Sequence, residues 1–271
     1  MSKTEDAIRL TKKIKRFENT FSCDLRDVVE LLETLKKLKD FIKAFPYGVE
    51  SIKFNKDFTV DVNGDVDLRT MGLSEIPLQF GKVTGSFRCD HNNLTSLDGA
   101  PEYVGESFVC SHNKLINLDY CPKSVGSFFC DHNNLTSLKG CPSEIRGRFD
   151  CSYNNIKNLT DIPKRIVNSF DCSHNNLTTL DGGPEYVGFC FDCTHNNLTS
   201  LEGAPKEVGG NFDCKNNQLT TLRGFPENLD GGFGCENNPK LKSLKGIYKD
   251  FKGYIHSDFY DGILKYYNGE L

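Results

Sequence analysis

A chain of 271 residues with 37% apolar and 11% aromatic side chains has enough hydrophobic material for one elongated folded domain and too much for a disordered one. Its formal charge of -4 is unevenly spread: 13 basic and 9 acidic residues fall in positions 1–56, leaving 20 and 28 in the remainder. The acidic remainder excludes a phosphate-tracking surface, so no nucleic acid is expected there, and no stretch approaches the ~20 apolar residues of a membrane span.

In chain order, residues 5–20 predict a short basic helix with Ile8, Leu10, Ile14 and Phe17 on its apolar side. Asp24 can cap a second helix that runs to Phe45, with Asp27 near its N-terminus and Pro46 ending it. Residues 1–50 are therefore expected to be a helical hairpin that closes one end of the domain, with part of its face available to a partner or a second copy. Residues 51–83 form an irregular first unit, in which Ile52, Phe54, Phe58, Val60, Val62, Val66 and Leu68 alternate. A three-residue loop, Asn63-Gly64-Asp65, pairs Val62 with Val66 and Val60 with Leu68, keeping both apolar sets on one face.

From residue 84 to 246 one sentence is written eight times: Phe-x-Cys-x-x-Asn-x-Leu-x-x-Leu, usually followed by Gly-x-Pro and a Val or Ile. The Cys column is Cys89, Cys110, Cys130, Cys151, Cys172, Cys193, Cys214 and Cys235, a step of 21 residues with one step of 20. A fixed short period of this kind predicts a solenoid. Phe and Cys, two apart, point to one face of a short strand. The Asn three residues after each Cys falls where the strand must bend inward, and its amide can satisfy the bend's backbone groups. The Leu columns fill the coil, and Gly and Pro turn the chain back. Residues 247–271 carry Tyr248, Phe251, Tyr254, Phe259, Tyr260, Tyr266 and Tyr267 without the repeat, and predict an aromatic C-terminal cap.

Phe-x-Cys-x-x-Asn-x-Leu resembles the leucine-rich repeat, Leu-x-Leu-x-x-Asn-x-Leu, with Phe and Cys in the first two Leu places. The unit is most similar to the short repeats of leucine-rich effectors of bacterial pathogens and to repeat proteins of large tailed phages and giant viruses. It differs from the effectors in carrying Gly-x-Pro where they usually have Pro-x-Leu-Pro. It also has no room for the catalytic domain of the ubiquitin-ligase members. The resemblance implies an α/β solenoid: a right-handed horseshoe with a parallel concave sheet, a helical N-terminal cap and an aromatic C-terminal cap. It further implies a non-enzymatic protein-binding module, and, for a viral or pathogen protein, a host partner. The alternatives are a structural subunit docking through its caps and an enzyme using a cap as its active part.

Because repetition fixes the scaffold, partner information should sit in the outward columns that vary. Before each Cys stand Arg88, Val109, Phe129, Asp150, Asp171, Asp192, Asp213 and Gly234; two after it stand His91, His112, His132, Tyr153, His174, His195, Asn216 and Asn237. The candidate partner-binding residues are Val109, Phe129, Asp150, Asp171, Asp192 and Asp213 with His112, His132, Tyr153, His174 and His195. The Asp run predicts a stripe of like charge relieved only by Arg148 and Lys215, suited to a basic segment of a protein partner. Phe129 is expected beside it as an exposed apolar anchor. Cys-x-His does not predict zinc, since the Cys is needed inside while the His turns outward; no metal or cofactor is assigned. Walker, Gly-x-Ser-x-Gly and His-Glu-x-x-His motifs are missing, which predicts no catalysis. The start of the chain lacks a signal-peptide core, and parallel Cβ vectors suit reduced thiols, so a cytoplasmic location is expected.

Overall fold

A computed structural model describes residues 49–258; positions 1–48 of the helical cap expected over 1–50 and the tail aromatics Phe259, Tyr260, Tyr266 and Tyr267 lie outside them, while Val49 and Glu50 already belong to the strand Val49–Phe54. The described residues form a parallel solenoid with two sheet faces. Its front sheet has ten strands in chain order, from Val66–Asp67 and Phe87–Arg88 through Phe149–Asp150 and Phe170–Asp171 to Phe233–Gly234 and Ile255–His256. Its back carries a six-stranded sheet that ends at Glu144–Ile145 and a four-stranded one that begins at Arg165–Ile166. The back sheets come from the Val/Ile column, as in Tyr103–Val104 and Tyr186–Val187. No helix occurs among the described residues, so the α/β class is corrected to an all-β solenoid there. The physical reason is length: the return path of a 21-residue unit is occupied by two turns and a two-residue strand, which leaves no space for a helix of several turns.

Between the faces the repeat columns pack rung on rung. Phe87, Phe108, Phe128, Phe149, Phe170, Phe191, Phe212 and Phe233 are fully buried with successive ring centroids 5.0–6.0 Å apart, stacked except for the tilted pair Phe212 and Phe233. Burial of each such ring contributes about 2–3 kcal/mol. All eight column cysteines are buried and unpaired. The Asn column makes the expected amide ladder. Asn175, for example, donates from Nδ2 to the carbonyls of Cys151, Cys172 and Ser173 at 3.0–3.2 Å and accepts from Ile156 N at 2.9 Å. One buried side chain thus satisfies four backbone groups across two rungs, closing the bend that a buried chain could not otherwise make. The rungs, the amide ladder and the Leu columns build a parallel solenoid of the kind the leucine-rich-repeat resemblance implies, with Phe and Cys in the first two Leu places.

Three local expectations are corrected. Asn63-Gly64-Asp65 is not a hairpin loop: Val60–Gly64 pairs antiparallel with Val49–Phe54 on the back, Phe54 opposite Val60, while Val66 pairs with Phe87 in the front sheet. Val66 and Leu68 occupy the Phe and Cys places of a first rung, and stacking on the next rung prevails over a local hairpin. The tail is not free of the repeat either, because Ile255 pairs with Phe233 and adds a tenth rung, while Tyr248 and Phe251 pack edge-on against Phe225. The 20-residue step is absorbed at a turn: Gly126 N and Ser127 N both donate to Glu106 O, and Phe108 still pairs with Phe128. The third correction concerns Phe129, described below.

Candidate binding face

Residues that precede each Cys stand side by side in register on the front sheet, Phe129 beside Asp150, then Asp171, Asp192 and Asp213. At rung spacings of ~4.8 Å, four carboxylates in a column repel one another. The two ends are neutralised. Arg148 Nη2 lies 2.8 Å from Asp150 and 3.7 Å from Asp171, and Lys215 Nζ lies 3.2 Å from both Asp213 and Glu236. Asp192 has no ion pair among the described residues. Burial, reinforced by the charges of Asp150 and Asp192, pushes the Asp171 carboxyl up to about 6 although Ser173 donates to it.

Three of the four carboxylates also hold the chain. Asp150 Oδ1 accepts from Ser152 N and Oγ, and Asp171 Oδ1 from Ser173 N and Oγ; Asp192 Oδ1 accepts from Thr194 N. The recurring Asp-Cys-Ser or Asp-Cys-Thr triplet is a local side-chain-to-backbone turn motif, legible in the sequence but not recognised there. Phe129 is half-buried instead of exposed, because the Arg148 guanidinium covers it, 5.8 Å from the ring centroid. Val109 is likewise half-buried, and Asp150 is buried outright.

The second set of candidates forms a separate stripe. His91, His112, His132, Tyr153, His174 and His195 stack as one continuous column with centroids 4.0–4.3 Å apart. All have φ between 51° and 56°, as do Asn216 and Asn237 at 56° and 54°. That left-handed bend favours His and Asn several-fold over most side chains, which accounts for the residue types in this column; Tyr153 is the bulky exception. Burial and the neighbouring imidazoles hold His112 and His174 below the usual histidine range. A shallow polar groove, about 630 Å³, runs along His132, Tyr153, His174 and His195 beside the Asn pairs. On the back, Lys82 and Arg146 flank the Tyr103 ring, and Arg165 lies 3.7 Å over Tyr186. Sequence reasoning did not consider that face, since it treated the Val/Ile column only as interior.

No family model matches the chain, and no curated protein does. Among solved structures it is similar to the functional domain of InlJ from Listeria monocytogenes, which includes a cysteine ladder, with 21% identity and a TM-score of 0.45 over 71% of this chain and 43% of that one. It is also similar to YopM from Yersinia enterocolitica WA-314, with 19% identity and a TM-score of 0.39 over 71% of this chain and 55% of that one. The chain spans less than two thirds of the length of either.

Proposed function

We propose that the chain is a non-enzymatic protein-binding module whose front sheet takes a basic segment of a partner at Asp171 and Asp192. The observation that carries this is the unequal neutralisation of the carboxylate column. Arg148 and Lys215 serve its ends, whereas Asp192 is unpaired and Asp171 is driven toward protonation. A Lys or Arg brought by a partner supplies the missing charge at that point and relieves an existing repulsion. Arg148, already on the Phe129 ring and Asp150, borders the site at one end, so Phe129 acts as a flank and not as the anchor. The unpaired thiols packed inside the coil fit a reducing, cytoplasmic location.

Affinity capture with the tagged full chain from its native cells, followed by mass spectrometry, identifies the partner. Asp171→Lys with Asp192→Lys is expected to abolish capture and to remove the salt dependence of association measured with the purified partner, while Phe129→Ala changes it little. A partner held with wild-type kinetics by the double variant overturns this site, and one lost only on deleting residues 1–48 favours docking through the cap.

A further inference from the structure

The imidazole column consists of two unlike parts. Tyr153 separates a run of three, His91, His112 and His132, from the pair His174 and His195. Beside the run, the residues that follow each Cys are Asp90, Ser111 and Asp131; beside the pair they are Ser173 and Thr194. His91 Nδ1 contacts Asp90 Oδ2 at 2.9 Å, and His132 Nδ1 contacts Asp131 Oδ2 at 3.0 Å, while Ser111 Oγ donates to Asp131 Oδ1. His195 is engaged differently, its Nε2 meeting Asn216 Nδ2 at 3.1 Å. The left-handed bend explains an imidazole at each rung, but not why carboxylates accompany only the run of three.

We propose that His112, Asp131 and His132 bind a divalent transition-metal ion of the zinc or copper class. One ligand atom from each already lies within 4.8 Å of the other two. Ligands about 2.0–2.1 Å from a tetrahedral ion stand roughly 3.4 Å apart, so the three need converge by at most about 1.4 Å. His112 and His132 are exposed on the solvent side and can swing that far about their side-chain torsions. Two imidazoles and a carboxylate form a donor set for zinc and copper, not for calcium or magnesium, which take oxygen ligands. An independent sign that the run is short of positive charge is Asp90. It is buried, and its Oδ1 has no hydrogen-bond partner among the described residues. The site does not overlap the Asp171 and Asp192 position and stands without it.

The test is calorimetric titration of the untagged full chain with Zn2+, with the spectrum of bound Cu2+ reporting nitrogen ligation. One Zn2+ per chain is expected, weakened at least about tenfold by His112→Asn and by Asp131→Asn. Asn is compatible with the left-handed backbone, and circular dichroism verifies folding. His174→Asn with His195→Asn is the control and should leave affinity unchanged. No binding by the full chain, undiminished binding by either single variant, or equal loss in the control overturns the proposal.

Discussion

At Asp171 a single carboxyl links local chemistry to stability. Its folded-state value of about 6 lies above the ~3.9 of an aspartate in an unfolded chain, so as pH falls the folded protein takes up this proton first. Its contribution to stability therefore rises as pH drops from 7 through 6 toward 4, and at neutral pH the ionised group costs on the order of 2 kcal/mol. Arg148 reaches Asp171 at 3.7 Å but is committed to Asp150 at 2.8 Å, which leaves the shift upward. Asp171→Asn keeps an oxygen for Ser173 while removing the charge. Thermal melts should show this variant stabilised at pH 7.5, the difference shrinking as pH falls from 6 toward 4 and gone near pH 3. A variant less stable than wild type at pH 7.5 contradicts the charge argument and makes the turn the dominant role of the carboxylate.

Among the elements, the Cys column was the most legible, because period two on a strand dictates which side chains point inward whatever the partner rung contains. Its polar role was not legible. The thiols of Cys110, Cys172, Cys193 and Cys214 donate to the carbonyls of Phe129, Asp192, Asp213 and Gly234 on the next rung at 3.2–3.4 Å, contacts that depend on rung spacing. For the same reason the Asn63-Gly64 turn signal misled: it is a local cue, and the pairing of Val66 with Phe87 is set 21 residues away. The Asp column was placed correctly from spacing alone, whereas the burial of Phe129 depends on Arg148, which reaches it from a neighbouring strand. Burial gives the column a kinetic signature. Among the cysteines of the described residues, brief exposure of the native protein to a thiol reagent should modify half-buried Cys190 first. Cys121 and Cys141 should follow slowly, since they pack on the core and burial pushes their thiols up. The eight column thiols should react only with unfolding, and their rapid labelling without denaturant is incompatible with this frame. Cys172→Asp should cost several kcal/mol in denaturant unfolding, as a carboxylate there has no partner.

On the scale of the whole molecule, a solenoid in which each strand pairs only with those of the neighbouring rungs should tolerate the loss of one rung. Excising residues 173–193 removes one 21-residue period and joins Cys172 to Thr194, so that the seam reads Phe-Asp-Cys-Thr-His-Asn-Asn, as in an existing repeat. Phe170 then stacks on Phe212, Leu177 and Leu180 leave with their rung, and Asn196 takes up the carbonyls that Asn175 had served. The shortened chain should fold cooperatively, with a denaturant slope lower by about one tenth, since one of the ten front rungs no longer contributes surface on unfolding. The excision also moves Asp213 and Lys215 next to Asp171 and eliminates the unpaired Asp192. Binding of a basic partner should therefore fall sharply, while Zn2+ binding at His112, Asp131 and His132, which all lie before the seam, should be unchanged. A broad, non-cooperative transition would show that the rungs are not interchangeable. Loss of both binding activities together would mean that the two sites share one surface, against the placement of one on the carboxylate column and the other on the imidazole stack.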